Sequence, residues 1–298
     1  MRGLAVTSHM NKNNGEEMTS RLNRRQFLAL TGLTVAGGLV AAGGYLYANN
    51  EADQPEISRV PIPIPGLEPA LDGFSIAVLA DFHLYPLTQL DLIKKAVAMT
   101  NALKPDLTVL LGDYVWHEVE AVFDLAPVLA GLNATHGVFA TTGNHDYWTD
   151  IDIITLALKE AGLPLLINQG VPISVGSKTL YLAGLDDGWS GDPDLEATMA
   201  DLTPGATTVL LSHEPDLADK HALDQRIALQ LSGHSHGGQV RFPGVGALIL
   251  PYLAWKYDMG LYKVNDMWLY TNRGLGVTNE PVRFNCPPEI TEITLVQA

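Results

Sequence analysis

Five short apolar runs, each ending in a polar cluster, punctuate the chain between residues 74 and 239. Phe74-Ser75-Ile76-Ala77-Val78-Leu79-Ala80 ends in Asp81-Phe82-His83, and Leu107-Thr108-Val109-Leu110-Leu111 ends in Gly112-Asp113. Gly137-Val138-Phe139-Ala140-Thr141-Thr142 runs into Gly143-Asn144-His145-Asp146. Thr207-Thr208-Val209-Leu210-Leu211 is followed by Ser212-His213-Glu214-Pro215. Ile227-Ala228-Leu229-Gln230-Leu231 leads to Gly233-His234-Ser235-His236-Gly237-Gly238-Gln239. Apolar runs this short, bounded by glycine and polar residues, read as buried strands.

Helical patterns separate the first three runs. Thr88, with Asp91 three residues on, predicts an N-cap, and Ile93, Val97 and Thr100 share one face up to Pro105. A second helix is expected over Glu120–Leu132, and a third capped by Asp150 and closed by Gly162 with Pro164 beyond. The three clusters recur about thirty residues apart, the spacing of consecutive βαβ units. Right-handed crossovers then place them along one edge of one sheet, at the carboxyl ends of its strands. From Leu165 strand signals dominate: Lys178–Ala183, the Thr207 and Ile227 runs, Gly238–Phe242, Leu261–Val264, Trp268–Thr271 and Ile290–Val296. These predict a second, more antiparallel sheet. The fold class is α/β, a four-layer αββα sandwich of two mixed sheets with helices outside.

The charge narrows the partners. At a formal −15, most of the surface repels phosphate backbones, so no nucleic acid is expected. An acidic protein still binds an anionic substrate where bound metal ions make the site cationic. The single cysteine, Cys286, excludes an internal disulfide and a cysteine-based zinc cage, and reads as buried structure.

Ahead of the globular part, Asn23-Arg24-Arg25-Gln26-Phe27-Leu28 opens an uncharged stretch to about Tyr47. A basic pair, an aromatic residue and a glycine-rich, mildly apolar segment resemble a twin-arginine export signal. A plain signal-anchor helix is the other reading, and both put the globular part outside the cytoplasm, periplasmic or on the outer face of the membrane. The stretch is long enough to span a bilayer, which takes about 20 residues. Its cleavage site is poor, so retention as an anchor and membrane association are expected alternatives. Met18 offers an alternative start. The organisation is therefore a leader over 1–50, a linker and edge segment over 51–72, and a catalytic domain over 73–298. In the edge segment, Val60-Pro61-Ile62-Pro63-Ile64-Pro65 can form only an edge strand or a polyproline stretch.

Asp81, His83, Asp113, Asn144, His213, His234 and His236 make an oxygen and nitrogen ligand set without sulfur. It suits Mn, Fe or Zn and disfavours structural zinc. Seven ligands exceed one ion's needs but suit two with a shared carboxylate, the arrangement that clamps attacking and leaving oxygens at phosphorus. The ordered series Asp-x-His, Gly-Asp, Gly-Asn-His-Asp, Ser-His-Glu-Pro and Gly-His-Ser-His-Gly-Gly-Gln resembles the calcineurin-like metallophosphoesterases, from about Gly73 to the end. The Gly-Gly-Gln extension and the tail Asn272-Arg273-Gly274-Leu275-Gly276, Pro281-Val282-Arg283 and Pro288-Glu289-Ile290 resemble its exported bacterial phosphodiesterase branch.

The resemblance implies one metal at Asp81, His83 and His236, and a second at Asn144, His213 and His234, with Asp113 bridging. It implies a metal-bound hydroxide as nucleophile and His145 as a catalytic imidazole beside the phosphoryl group. It also implies a phosphodiester or pyrophosphate substrate, small-molecule or lipid, of the phospholipid or UDP-diacylglucosamine type. The sequence departs from the phosphoprotein-phosphatase pattern at Trp116, where an Asp would orient the histidine; either Asp146 replaces it or His145 is held more loosely. A non-catalytic, metal-binding interaction module of the cell envelope is the competing function.

Other residues read less sharply. Arg273 and Arg283 suit a substrate phosphate or a loop-fastening ion pair equally. Asp186-Asp187 reads as a turn. Leu248–Trp255 reads first as core packing, with an exposed lip for a lipid substrate as the alternative.

Overall fold

The computed structural model describes residues 37–38 and 41–298. The Arg24-Arg25 pair and most of the apolar stretch behind it lie outside the described residues. The chain divides into Met1–Gly44 and Tyr45–Ala298. Residues 37–38 and 41–44 of the first unit are helical, and the second contains both large sheets. Among the described residues, no helix is long and apolar enough to cross a membrane.

One sheet joins β1 (Glu56–Ile64), β2 (Ser75–Leu79), β3 (Leu107–Leu111), β4 (Val138–Thr141) and β13 (Glu289–Gln297) in the order β1-β13-β2-β3-β4. The other joins β5 (Gln169–Val175), β6 (Lys178–Gly184), β7 (Thr207–Leu211), β8 (Leu229–Ser232), β11 (Gly260–Val264) and β12 (Met267–Thr271) in the order β11-β12-β8-β7-β6-β5. A hairpin of β9 (Arg241–Phe242) and β10 (Gly246–Ala247) stands apart.

The pleat alternation builds the layers. Ile76, Val78, Val109 and Leu111 point inward and meet Leu182, Val209, Leu211, Leu229 and Leu231 of the second sheet. The alternate residues Leu79 and Leu110 pack outward with Ile93, Leu125 and Leu158. Those three lie on α1 (Leu90–Leu103), α2 (Val122–Leu129) and α4 (Ile151–Glu160). Tyr181, Ala183 and Leu210 cover the opposite outer face with Met199 and Ala218. The two mixed sheets with helices outside are thus as expected, and Asp150 caps α4 by accepting from the Ile153 amide.

Several local readings change. The last strand, β13, belongs to the first sheet, wedged between β1 and β2, not to the second. Period-two alternation identifies a strand and its buried face but not its distant partner. The second sheet is parallel across β6, β7, β8 and β12, and antiparallel only at its edges β5 and β11. Thr88 is not the cap of α1, because Gln89 holds that position. The Thr88 hydroxyl instead accepts from the Val277 amide at 3.1 Å. The expected Glu120–Leu132 helix is a 3-10 turn at Val119–Ala121 followed by the shorter α2.

The proline-rich segment is an edge strand, β1, paired with β13 alone. An edge tolerates Pro61 and Pro63 because one flank needs no donors. Residues 45–51 are helical, and they are fastened down. Asn49 donates to the Pro281 carbonyl at 2.7 Å, the Arg283 amide to Ala48 O at 2.9 Å, and the Cys286 amide to Glu51 Oε1 at 2.7 Å.

Because β13 carries Ile293 into the layer between the sheets, Ile293→Ala should destabilise by about 2–5 kcal/mol. Urea unfolding measures it. A loss below about 1 kcal/mol would mean that β13 is not an interior strand.

Candidate metal centre

All five polar clusters leave the carboxyl ends of parallel strands on one edge of the sandwich. Asp81 and His83 follow β2, and Asp113 follows β3. Asn144 and His145 open α3 (Asn144–Thr149) after β4, His213 follows β7, and His234 and His236 follow β8. The seven expected ligands are each no more than 5% exposed.

Ligand atoms of Asp81, His83 and His236 lie within 4.8 Å of one another, as do those of Asp113, His213 and His234. Asp113 joins the groups: its Oδ2 stands 3.3 Å from His83 Nε2 and 3.2 Å from His213 Nε2. His83 Nε2 and His236 Nε2 face each other at 2.9 Å. Two imidazole lone pairs tolerate that approach only with a proton or a cation between them.

Backbone acceptors set two tautomers. His213 Nδ1 meets the Leu111 carbonyl, and His234 Nε2 meets the Tyr252 carbonyl at 2.7 Å. An N–H fixed there turns the other ring nitrogen into the site as a lone pair. Asn144 Oδ1 is buried with no hydrogen-bond partner. Leaving such an atom unsatisfied costs about 1–3 kcal/mol, and a cation would satisfy it. The donor set therefore fits divalent metal.

The backbone is bent to bring these groups together. Asp81, His83, Asp113, His234 and His236 all have left-handed φ, between 41° and 69°. Non-glycine residues there cost about 1–3 kcal/mol each and persist only where the surroundings over-determine them. Two glycines let the backbone close on the carboxylates. A Cβ at Gly143 would lie 2.4 Å from Asp113 Oδ1, and one at Gly233 would lie 2.7 Å from Asp81 Oδ2.

Burial dominates the electrostatics. It pushes the Asp81 carboxyl up to about 7, the neighbouring Asp113 adding to it against His213. Burial also acts on Asp113, but the His213 and His145 charges outweigh it and hold that carboxyl well below the usual range. Burial lowers His213, yet Asp113 more than compensates and its imidazole is raised well above normal. Without metal the two form an ion pair whose proton stands where a cation would bind. Burial takes His234 down to about 3 and His83 and His236 well below their usual value, giving the neutral imidazole that ligates metal.

His145 belongs to the same centre. Its amide donates to Asp113 Oδ1 at 2.9 Å, and its ring stacks on Trp116 at 4.4 Å and leans on Trp148 at 4.6 Å. Its Nδ1 faces the Trp116 carbonyl at 3.4 Å. Asp146 is not its orienting partner. That carboxylate instead accepts from the amides of Asp113 (3.0 Å), Tyr114 (2.9 Å) and Gly143 (2.8 Å), pinning one cluster to the next.

The arginines are not substrate clamps. Arg283 is fully buried and donates to the carbonyls of Arg273, Gly274, Gly276 and Cys286. Arg273 lies against Glu289 at 3.4 Å, so both fasten the loop behind Asp81. Asp186 and Asp187 form the expected turn, accepting from Thr142, Tyr147 and Trp189. Cys286 is buried. The Leu248–Trp255 run is not core: Leu248, Ile249 and Trp255 are 67%, 81% and 66% exposed. Sequence reasoning also missed the aromatic rim of Trp148, Trp189 and Tyr252, which continues outward from His145. Trp189 and Tyr252 sit on loops and Trp148 on the short α3, so no periodicity marks them.

Comparison with known proteins agrees with this centre. The family model of calcineurin-like phosphoesterases matches residues 74–238. The uncharacterized metallophosphoesterase YkuE of Bacillus subtilis is 37% identical over 92% of this chain and 98% of its own length. Phosphodiesterase YaeI of Escherichia coli is 33% identical over 92% of this chain and 100% of its own. A zebrafish transmembrane protein with a metallophosphoesterase domain is 34% identical over 84% of this chain but 59% of its own. With its ordered clusters gathered on one edge of two packed sheets, and similarity along almost its whole length to metallophosphoesterases, the chain belongs to the calcineurin-like phosphoesterase family, hydrolases of phosphoric esters.

Proposed function

We propose that the chain is a phosphodiesterase working with two divalent transition-metal ions. One is held by Asp81, His83 and His236, the other by Asn144, His213 and His234, with Asp113 shared. The observation that carries this reading is Asp113 Oδ2, set between His83 Nε2 and His213 Nε2 at 3.3 and 3.2 Å. When bound, such ions lower the pKa of coordinated water and neutralise charge building on phosphoryl oxygens. The chain's own residues supply position and a proton. Asp113 fixes the spacing of the two ligand groups, and Asp146 fixes Asp113. With His145 Nδ1 on the Trp116 carbonyl, Nε2 is left to meet the leaving oxygen. A binding module that had lost the chemistry would need neither His145 at this place nor a complete second ligand group.

We also infer export through the twin-arginine route, on the strength of Arg24-Arg25 and the apolar stretch behind them.

Three outcomes follow. With Mn²⁺, the full chain should hydrolyse bis-p-nitrophenyl phosphate, and Mn²⁺ at a hundred times its Kd should raise stability by about 2.7 kcal/mol. Asp113→Ala should lack both, and turnover equal to that variant's would sink the enzyme reading. His145→Ala should lower kcat by about 10²- to 10⁴-fold with metal content intact; lost metal would mean His145 is a ligand. Replacing Arg24 and Arg25 with Lys should leave the precursor in the cytoplasm, and unchanged export on fractionation removes the twin-arginine route.

A further inference from the structure

The residues from Phe242 to Trp255 contain no charged side chain, in a chain whose formal charge is −15. They form the β9–β10 hairpin and the loop after it, and they do not pack away. Phe242, Val245, Leu248, Ile249, Tyr252 and Trp255 are all exposed. Six large apolar side chains turned to water within fourteen residues make a surface that calls for a cover.

The geometry shows what lies at each end. At the inner end, Trp255 meets Tyr252 at 5.8 Å between ring centroids, and Tyr252 meets Trp189 at 5.4 Å. Trp189 stands 5.8 Å from His234, and Trp148 joins Trp189 to His145. The run is therefore the outer lip of the metal centre, and the Tyr252 carbonyl itself holds His234. At the outer end, Phe242 packs on Phe284 at 6.1 Å, and Phe284 on Tyr47 at 5.9 Å. Tyr47 closes the uncharged stretch that begins at Phe27. The lip thus runs from the mouth of the site to the point where an apolar chain of membrane-spanning length joins the folded unit.

Its chemistry is that of a lipid interface. Trp and Tyr favour the headgroup level, and aliphatic side chains enter the acyl boundary. Here Tyr252 and Trp255 lie at the inner end, and Leu248 and Ile249 stand among the most exposed. The flanking charges are already spent: Arg241 on Asp258 at 2.6 Å and Lys256 on Asp219 at 2.7 Å. Among the described residues flanking the run no free basic cluster is left to grip anionic headgroups, so the attraction of the lip is apolar and should withstand salt.

We propose that Phe242–Trp255 is a membrane-docking lip that seats the metal centre against a lipid bilayer, so that the enzyme reaches phosphoesters in the headgroup layer. The docking stands on the surface alone, and the lipid phosphoester substrate rests on the phosphodiesterase reading.

The test uses the full chain with phosphatidylcholine vesicles, with and without phosphatidylglycerol. An environment-sensitive fluorophore on Ile249→Cys should shift to the blue and brighten when vesicles bind, at low and high salt alike. The same label on Leu223→Cys, exposed beside a separate cavity of about 760 Å³ lined by Arg226 and Lys263, should not respond. Vesicle-bound protein with no change at position 249 overturns the proposal, and so does a shift at 249 produced only by added protein. In a second arm, Leu248→Ser with Ile249→Ser should leave turnover of soluble bis-p-nitrophenyl phosphate within about twofold. Turnover of phospholipid in vesicles should fall about tenfold or more, the consequence of removing two inserted side chains. An equal fall on both substrates overturns the docking. Absent turnover of either substrate by the wild type, with the label still shifting, removes the phosphodiesterase reading and leaves the docking standing.

Discussion

One carboxylate holds the centre together. Asp113 leaves the end of β3, which lies between β2 and β4, so every group from the first sheet is within its reach. Oδ2 lies against His83 and His213, and Oδ1 takes the His145 amide. A single side chain thereby ties both sheets to the start of α3. The arrangement is also costly. Asp81 is buried in the same place, and a second carboxylate beside an ionised Asp113 is what, together with burial, drives its carboxyl up. Buried charge of one sign is tolerated when cations compensate it. His213, His145, His83 and, at longer range, Arg283 oppose the pair of carboxylates, but burial makes His83 and His145 less basic than usual, which is the electrostatic argument for metal.

The strain has its own support. Five candidate ligands sit at positive φ, and hydrogen bonds close around them. Asp81 N reaches Gly112 O and His83 N reaches Asp113 O, while the Gly276 amide returns to Asp81 O at 2.7 Å. The His234 amide reaches across from the second sheet to the Asp81 carboxylate at 2.9 Å. Arg283 clamps the carbonyls of the loop that carries Gly274 and Gly276. Buried arginine, glycine loop and bent aspartate form one unit, which keeps that arginine away from the surface where substrate would bind.

What the sequence revealed and what it hid divide along the range of the interaction. Strand β3 and the Asp150 cap are local events, written in a few neighbouring residues, and the structure reproduces them. The gathering of the polar clusters was legible because parallel strands and right-handed crossovers leave few alternatives. Placing β13 in the first sheet required knowing that Ile293 pairs with Ile76, more than two hundred residues away, and no local pattern carries that. Thr88 looked like a cap because its hydroxyl is a good one, yet a tertiary partner, Val277, claimed it. The Leu248–Trp255 run takes the second of its two readings, the exposed lip, for a different reason. Hydrophobicity records a tendency to leave water, and a core is only one of the places that offers.

The orientation of His145 shows how packing can replace charge. A carboxylate behind the ring would hold a proton on Nδ1 and raise its basicity; here a carbonyl at 3.4 Å does the first weakly and the second hardly at all. Burial therefore dominates and the imidazole is less basic than usual. Its direction comes instead from the faces of Trp116 and Trp148, which leave the ring little freedom to swing. Trp148 in turn bears edge-on upon Trp189, and Trp189 upon Tyr252. The positions of His145 and of the apolar lip are thus set by one packed series of aromatic rings.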